Sequence, residues 1–534
     1  MNNSSRFFVS LLCIAVLAAP VAHAQSSVSS TSSLSSLSSL SSGSSLSSSS
    51  SSSSVSDPDA DSGDRVLWSE GFDAVPNPAK FTHNVPEGWS VATSGVRSGE
   101  ARWKGWALST IRDWTWAAGT DMRHWFTQAH GNVAIVDNKQ QRLNETDSMT
   151  TALRSPEIPV GGETVNLEFD HHYRQGSPEQ SAAVRVAFDG GEAREVAVFS
   201  EDVFSKHESL ELDVPAGAKT MQVEFVYRNG NDDWWWALDN VQVTRPLGQA
   251  GTPEAVVDVL SDVQGDPEDY QDAVRQLNGM EDKADALVLN GDLVDDGSKA
   301  QWDEFLAAHR AQPHDSGTEL WTIGNHEMYG PEGSETYLQR FLEHSGQEKP
   351  WAEVMASGVP LISINTEYYS DIDRGGKEPF QRLSEEQLGW LDSRLGFWES
   401  RGVTPLVFTH PLLPQTVSMS HSAWYQNDFE DLEALSEVLA RHPNIVAFTS
   451  HSHSSLRQNN WWGTYRYKDA AFPVVNTGAI LNEYLPDGDH DEEIVKEKDA
   501  ASSGLRIKVY PDRVRVEAWD FKAEKMLKFQ DFPR

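Results

Sequence analysis

The stretch from Ala286 to Gly297 reads Ala-Leu-Val-Leu-Asn-Gly-Asp-Leu-Val-Asp-Asp-Gly, and it predicts the fold of the second half of the chain. Its first four residues are apolar without interruption, which is typical of a strand buried on both faces of a sheet. Polar residues, Asp292 among them, begin where that strand ends, and a helical pattern follows at residues 298–310. A strand that leads into a helix in this way indicates an α/β unit with a parallel sheet.

Four other predicted strands of this half also end in polar residues. They are residues 255–260 before Asp262 and Gln264, 320–323 before Asn325 and His326, 404–408 before His410, and 444–448 before His451 and His453. A strand at 360–364 and helices at 384–399 and 428–441 complete the alternation. Because ligands bind at the carboxyl ends of strands in open α/β sheets, we expect the five polar blocks to meet at one edge.

The residue types in these blocks suit a site for two metal ions. Each block alone is a weak signal, but five in this order, each at a strand end, make coincidence improbable. Asp, Asn, Gln and His supply oxygen and nitrogen ligands for Mn²⁺, Fe or Zn²⁺. A carboxylate can bridge two ions about 3.5–4 Å apart, and such ions can generate hydroxide and hold a phosphoryl group. The sequence therefore predicts a site that hydrolyses phosphate esters.

The order of the blocks and the residue types within them resemble the motifs of the calcineurin-like metallophosphoesterase superfamily over about residues 253–520. The resemblance implies an α/β/β/α sandwich whose dinuclear centre lies at the C-terminal edge of the sheets. A β-hairpin that closes this fold is expected at residues 505–509 and 514–519, around Pro511-Asp512. The fold class expected for the whole chain is multidomain, with this sandwich C-terminal to an all-β domain.

The resemblance also implies a role for each residue that matches the family's motifs. The implied metal ligands are Asp262, Gln264, Asp292, Asn325, His410, His451 and His453. Asp262, Gln264 and His453 would bind the first metal, and Asn325, His410 and His451 the second. Asp292 would bridge the two ions, and Asp295 would orient its loop. His326 would be catalytic, facing the substrate to stabilise charge or to protonate the leaving oxygen.

The chain departs from the family pattern at two positions. Gln264 stands where the family usually has His, and Ser450 stands where Gly usually precedes the final His-x-His. Because an amide oxygen is a neutral, harder and weaker donor than imidazole, the first site is expected to bind its ion less tightly or to prefer Mn²⁺ over Zn²⁺. An alternative is that Gln264 reaches the ion only through water.

The region from about Val66 to Pro246 predicts an all-β sandwich or jelly roll. Residues 165–170, 182–188 and 221–227 alternate apolar and polar side chains, and Asp189-Gly190-Gly191 supplies a hairpin turn. The segments 69–73 and 236–243 loosely resemble the first and last strands of secreted jelly-roll domains of the carbohydrate-binding and adhesion type, and in such domains these strands pair.

Two further expectations concern ligands of this β domain. Glu70 and Asp239 could meet at a structural Ca²⁺ site, or they could be ordinary strand-end carboxylates. The tryptophans that could stack on the sugar rings of a glycan or cell-surface polymer, or else pack the core, are Trp103, Trp106, Trp114, Trp116, Trp125 and Trp234–Trp236.

The N-terminus predicts export. Residues 1–24 resemble a signal peptide with cleavage after Ala24, and the Ser-rich linker 25–62 cannot bury a core. The single cysteine, Cys13, lies in the signal peptide, so the mature chain would have no disulfide. The predicted folded domains are 63–247 and 253–534, and the expected location is secreted, either extracellular or periplasmic.

The charge limits the partners. The 534 residues include 43 Lys and Arg against 80 Asp and Glu, a formal net charge of -37, which argues against nucleic acid or an anionic membrane as an electrostatic partner. No membrane span is expected after signal cleavage.

The function expected is that of a secreted phosphoesterase that hydrolyses phosphate mono- or diesters by attack of a metal-bound hydroxide on phosphorus. The alternative is a surface adhesion or glycan-binding protein whose catalytic domain has lost activity through Gln264.

Overall fold

The computed structural model describes residues 65–369, 373, 381–422, 425–487, 490–494 and 501–534. The predicted signal peptide (1–24) and Ser-rich linker (25–62) lie outside the described residues. Both predicted folded domains fall within one compact unit, Ser62–Arg534, so their boundaries at 63–247 and 253–534 stay predictions. No helix in the part of the chain that the structure describes combines the length and apolar content needed to cross a membrane.

The N-terminal sandwich, residues 66–244, consists of two six-stranded sheets. Its elements are β1 (Val66–Glu70), β2 (Ser90–Ser94), β3 (Ala107–Ser109), α1 (Ile111–Ala118), β4 (Val133–Asp137), β5 (Met149–Arg154), β6 (Ile158–Pro159), β7 (Thr164–Tyr173), β8 (Ser181–Phe188), β9 (Arg194–Phe199), β10 (Val203–Asp213), β11 (Thr220–Gly230) and β12 (Trp235–Thr244). One sheet has the order β10-β7-β12-β4-β3 with β1 beside β12, and the other has β2-β5-β11-β8-β9 with β6 beside β11. Apolar residues from both sheets form the core between them.

The prediction of an all-β sandwich is confirmed. The three predicted strands are β7, β8 and β11, and Gly191 N donates to Phe188 O at 2.9 Å in the predicted turn between β8 and β9. The first and last strands, β1 and β12, pair antiparallel as expected. The sequence did not predict α1, which Thr110 caps by accepting a hydrogen bond from Asp113 N.

The C-terminal sandwich, residues 255–533, also has two six-stranded sheets. Its strands are β13 (Ala255–Leu260), β14 (Ala286–Asn290), β15 (Glu319–Thr322), β16 (Ala352–Ala356), β17 (Val359–Ser363), β18 (Leu406–Phe408), β19 (Val446–Thr449), β20 (Trp462–Tyr467), β21 (Ala470–Asn476), β22 (Tyr484–Asp487), β23 (His490–Ile494), β24 (Ser503–Val509), β25 (Arg513–Asp520) and β26 (Lys525–Pro533). Its helices are α2 (Pro267–Gly279), α3 (Lys299–Ala311), α4 (Ser334–Ser345), α5 (Glu385–Glu399) and α6 (Leu432–Arg441).

The sheet orders are β15-β14-β13-β24-β25-β26 and β16-β17-β18-β19-β21-β20. One apolar core lies between the sheets, and two others lie under the helices of the outer layers. This arrangement is the expected α/β/β/α sandwich, and the predicted closing hairpin is formed by β24 and β25. The sequence did not predict α2, α4 and strands β16, β20, β21, β22, β23 and β26.

Small shifts of the predicted boundaries have identifiable causes. β18 starts at Leu406, after Pro405, because proline has no N–H to donate to a sheet. α6 starts at Leu432 rather than Asp428, since Asp428 O accepts a hydrogen bond from Gln381 N at 2.7 Å and this pairing occupies the segment before the helix.

The strand directions bring the polar blocks to one edge. β13, β14 and β15 are parallel neighbours in the first sheet, and β17, β18 and β19 are parallel neighbours in the second. Their carboxyl ends therefore lie at the same side of each sheet, as the sequence predicts.

The N-terminal sandwich covers the edge strand β20. Gln128 Nε2 donates to Trp462 O at 3.1 Å, Arg466 donates to Asn240 Oδ1 at 2.9 Å, and Asn460 Nδ2 donates to Thr127 Oγ1 at 3.0 Å. A covered edge cannot pair with another chain. A cleft of about 840 Å³ beside this contact has residues of both sandwiches on its walls and none of the predicted metal ligands.

Candidate metal centre

Two groups of side chains with the composition of a metal site share one carboxylate. Asp262, Asp292 and His453 form one group, and Asp292, His410 and His451 form the other. Within each group the possible ligand atoms lie within 4.8 Å of one another. Asp292 belongs to both groups, and this is the position to which the family resemblance assigns a bridging carboxylate.

The two predicted amide ligands lie in the same cluster. Gln264 Nε2 is 3.0 Å from Asp292 Oδ2, and Asn325 Oδ1 is 3.2 Å from His410 Nε2. The structure thus brings all seven predicted ligand side chains together, although they come from loops that follow β13, β14, β15, β18 and β19. Their roles as ligands stay predictions.

The environment of Asp262 fits a cation. Its side chain is fully buried, and neither carboxylate oxygen has a hydrogen-bond partner among the described residues. Burial raises the pKa of Asp262 well above its usual range, because desolvation disfavours the charged form. A buried carboxylate without hydrogen bonds is costly unless a positive charge compensates it. The donor set around Asp262 therefore suits a divalent ion.

Asp292 and His410 form a tightly coupled pair, with His410 Nε2 3.1 Å from Asp292 Oδ2. Burial opposes the charge on both groups. Even so, His410 and His326 hold the pKa of Asp292 well below its usual range, while Asp292 raises the pKa of His410 to about 10. A histidine must lose its proton to bind a metal, so a divalent ion at this point would take the place of that proton.

The other two histidines are neutral at pH 7. Burial, with the neighbouring His410, lowers the pKa of His451 well below its usual value. Burial also lowers the pKa of His453 to about 4. His453 Nδ1 lies 3.0 Å from Asn482 O, so Nδ1 donates to that carbonyl, and Nε2 lies 3.4 Å from Asp262 Oδ1. Both rings are therefore in the protonation state that metal binding requires.

The backbone of the site is strained. Five of the seven predicted ligands have φ in the left-handed region, which side chains other than glycine rarely adopt. These are Asp262 (53°), Gln264 (41°), Asp292 (52°), His451 (67°) and His453 (49°). Such outliers persist where the surrounding structure imposes them, and they cluster at functional sites.

His326 lies at the accessible side of the cluster, with 23% of its side chain exposed. Its backbone N–H donates to Asp292 Oδ1 at 2.9 Å. Its ring Nδ1 lies 2.7 Å from Asp295 O and donates to it, which leaves Nε2 to exchange a proton with a substrate. Asp295 thus orients His326 through its main-chain carbonyl. Its predicted role in orienting its own loop stays a prediction.

Sequence reasoning assigned no role to Glu327, although it follows His326 directly. Its buried carboxylate accepts hydrogen bonds from Asp292 N (3.0 Å), Leu293 N (2.6 Å) and Gly324 N (2.6 Å). Burial and the Asp292 charge raise the pKa of Glu327 to about 7. Glu327 therefore ties the loop of Asp292 to the loop of Asn325, a contact that only the folded chain reveals.

Ser450, the second departure from the family pattern, fits without obstruction. Its hydroxyl donates to Asn290 O at 2.6 Å and lies 2.9 Å from His410 Nδ1. The serine side chain at the position of the family's glycine therefore contacts Nδ1 of His410, a predicted metal ligand.

The predicted calcium ligands both make local hydrogen bonds. Glu70 Oε1 accepts from Phe72 N at 2.7 Å, and Asp239 accepts from His130 N at 2.8 Å and from Asn240 N at 2.7 Å. Among the described residues, no group of three His, Cys, Asp or Glu side chains suited to a metal includes either residue. The structural Ca²⁺ stays a prediction.

Most of the tryptophans considered as sugar platforms pack the core. Those that are buried are Trp103, Trp106, Trp114, Trp125, Trp235 and Trp236. Trp116 is 84% exposed, and Trp234 packs under the guanidinium of Arg174 at 3.9 Å. Core packing thus accounts for the buried set, and the glycan contact stays a prediction.

Comparison with known proteins shows which family these residues resemble. Residues 255–455 match the profile of the calcineurin-like phosphoesterases. A cAMP/cGMP dual specificity phosphodiesterase of Mycobacterium tuberculosis is 25% identical over 244 residues, which are 45% of this chain and 68% of that protein. A probable cyclic nucleotide phosphodiesterase of Synechococcus is 28% identical over 219 residues, 39% of this chain and 76% of that protein.

A solved structure is also similar to part of this chain. It is a dimetal phosphatase from Danio rerio, 16% identical, which matches 53% of this chain and 99% of its own length with a TM-score of 0.39.

Proposed function

We propose that this chain, whose residues 255–455 match the calcineurin-like phosphoesterase family, is a secreted enzyme that hydrolyses phosphate mono- or diesters with two bound metal ions. The match to this family supports a metal-dependent phosphoester hydrolase. The observation that carries the two-metal proposal is the sharing of Asp292 between two clusters of ligand atoms. The buried carboxylate of Asp262, which lacks hydrogen bonds, supports it.

The residues divide into three roles. Asp262, Gln264 and His453 would hold one ion, and Asn325, His410 and His451 the other, with Asp292 shared between the two. When bound, the ions would activate water and offset the charge of the phosphoryl group. His326 would protonate the leaving oxygen from Nε2, which requires the doubly protonated ring, and the hydrogen bond that Nδ1 donates to Asp295 O leaves Nε2 to face the substrate.

The test is to express the full chain with residues 1–24, to collect the exported protein, and to measure its hydrolysis of phosphate esters after loading with Mn²⁺. An aryl phosphomonoester and the corresponding diester are compared, because the better substrate distinguishes a phosphatase from a phosphodiesterase, the activity named for the bacterial relatives. Metal-dependent turnover is expected, and the exported product is expected to begin at Gln25 by mass spectrometry. Turnover on neither ester, with fewer than two ions bound across Mn²⁺, Fe and Zn²⁺, would contradict the proposal and favour the adhesion alternative.

The metal preference can be tested at Gln264. We expect Gln264→His to increase the affinity of the first site for Zn²⁺ by about 10–100-fold and to reduce the preference for Mn²⁺, because imidazole is the stronger donor to Zn²⁺. Histidine tolerates the φ of 41° at this position better than most residues. Competition titrations of Mn²⁺ against Zn²⁺ measure the change.

The control is Gln339→His, which adds a histidine on the exposed face of α4, where Gln339 contacts Glu343. It should leave both affinities unchanged. If Gln264→His also leaves the Zn²⁺ affinity unchanged, Gln264 does not ligate the ion directly, and the water-mediated alternative is correct.

A further inference from the structure

Tyr329 lies at the end of a single 3₁₀ turn that carries two predicted functional residues. The turn spans His326–Met328, Asn325 is its N-cap, and Tyr329 N donates to His326 O at 3.2 Å. In a 3₁₀ turn the side chains three residues apart are eclipsed. The turn therefore brings Tyr329 alongside His326.

The hydroxyl of Tyr329 holds the amide of Asn325. Asn325 Nδ2 donates to Tyr329 Oη at 2.8 Å, while the oxygen at the other end of the amide, Oδ1, lies 3.2 Å from His410 Nε2. Only the oxygen of an amide can bind a cation. The hydrogen bond at the nitrogen end thus sets the plane of the amide and leaves the oxygen directed at the second group of ligand atoms.

The ring of Tyr329 packs against the ring of His326. Their centroids are 4.6 Å apart, and the planes are inclined by 51°. His326 is also held at Nδ1 by Asp295 O. These two contacts on different sides of the imidazole restrict its rotation, which is the requirement for a group that must deliver a proton along one direction.

We propose that Tyr329 is a positioning residue with two separable parts, in which the hydroxyl orients Asn325 for the second metal ion and the ring orients His326 toward the leaving group. The assignment rests on the proposed function and adds a residue to it. It makes the affinity for the second ion and the protonation of the leaving oxygen depend on one side chain.

The hydroxyl is tested by Tyr329→Phe, which keeps the ring. Mn²⁺ binding to the metal-free protein, followed by calorimetry and by the electron paramagnetic resonance of free Mn²⁺, should show the second ion bound about 3–10-fold more weakly and the first unchanged, as expected for one lost hydrogen bond. Tyr467→Phe is the matched control, since it removes a hydroxyl that contacts Glu437 and no predicted ligand. Wild-type affinity for both ions in Tyr329→Phe would overturn this part.

The ring is tested by Tyr329→Leu against Tyr329→Phe at saturating Mn²⁺. Protonation matters most for a poor leaving group, so hydrolysis of an alkyl ester should fall about 10-fold further than hydrolysis of an aryl ester in the leucine variant alone. In a His326→Ala background the same substitution should no longer change the alkyl-to-aryl ratio. Equal losses on both esters, or an unchanged effect in that background, would overturn the role of the ring.

The outcomes separate the two proposals. If the wild-type protein binds fewer than two ions and hydrolyses neither ester, the proposed function fails first. If it binds two ions and turns over, only the results with the Tyr329 variants decide whether the residue positions Asn325 and His326. Thermal unfolding of each variant tests whether a change in metal affinity comes from a failure to fold.

Discussion

Asp292→Ala is expected to abolish metal-dependent hydrolysis and to remove both bound ions together. Asp292 is the carboxylate common to the two ligand groups, and its loss leaves each ion with three of its four proposed ligands. Loss of an outer partner of a metal site already costs about 10–100-fold, so loss of a shared ligand should exceed that range. Metal content by mass spectrometry and turnover of the preferred ester measure the result.

Asp272→Ala is the matched control for this experiment. Asp272 is an exposed aspartate on α2 that pairs with Arg275, and its replacement should alter neither metal content nor turnover. A variant at Asp292 that still binds two ions would contradict the assignment of the bridging carboxylate, even if its turnover were low.

Gly324→Ala is expected to have a comparable effect without removing any ligand. A Cβ at this position would lie 2.0 Å from Asp292 Oδ1 and 2.5 Å from Asp292 N, and both distances are far inside van der Waals contact. Asp292 or the loop of Asn325 must therefore move, and overpacking of this kind typically costs about 1–3 kcal/mol. Because metal ligands must be held within about 0.5 Å, we expect loss of the second ion and a fall in turnover of at least about 100-fold.

Gly389→Ala is the matched control, because it makes the same substitution at a glycine far from the predicted ligands in sequence and with open space around it. Gly389 lies inside α5, and a Cβ there would meet nothing within 4 Å. Alanine in place of a helix-interior glycine should raise the free energy of unfolding by about 0.5–1 kcal/mol and leave metal binding unchanged. Wild-type turnover and metal content in Gly324→Ala would show that the close approach to Asp292 is not required.

The fold of the C-terminal sandwich was predictable because its strands are local patterns. Uninterrupted apolar runs such as 286–289 identify buried strands from sequence alone, and each ends at the residue where the polar block begins. Ser298 and Ser384 marked the starts of α3 and α5, where their side chains accept hydrogen bonds from Gln301 N and Gln387 N. The helix α1 was missed because its eight residues lie within a region whose other segments alternate apolar and polar side chains as strands do.

The tryptophans of the N-terminal sandwich show what a sequence pattern does not distinguish. Trp114 is fully buried and packs against Trp235 with ring centroids 5.9 Å apart, whereas Trp116, two residues later, is 84% exposed. The residue type is the same, and only the face of α1 on which each lies decides between core packing and a free aromatic surface.

The sequence by itself placed the seven predicted ligands after strand ends, which parallel strands present at one edge, and the resemblance of their order to a known family implied their roles. The residues that orient them were decided by the tertiary structure. Glu327 contacts the backbone of Asp292, 35 residues away in the chain, and Ser450 contacts Asn290, 160 residues away. Hydrogen bonds between such distant residues leave no periodicity or spacing in the sequence, and they exist only once the two sheets have packed.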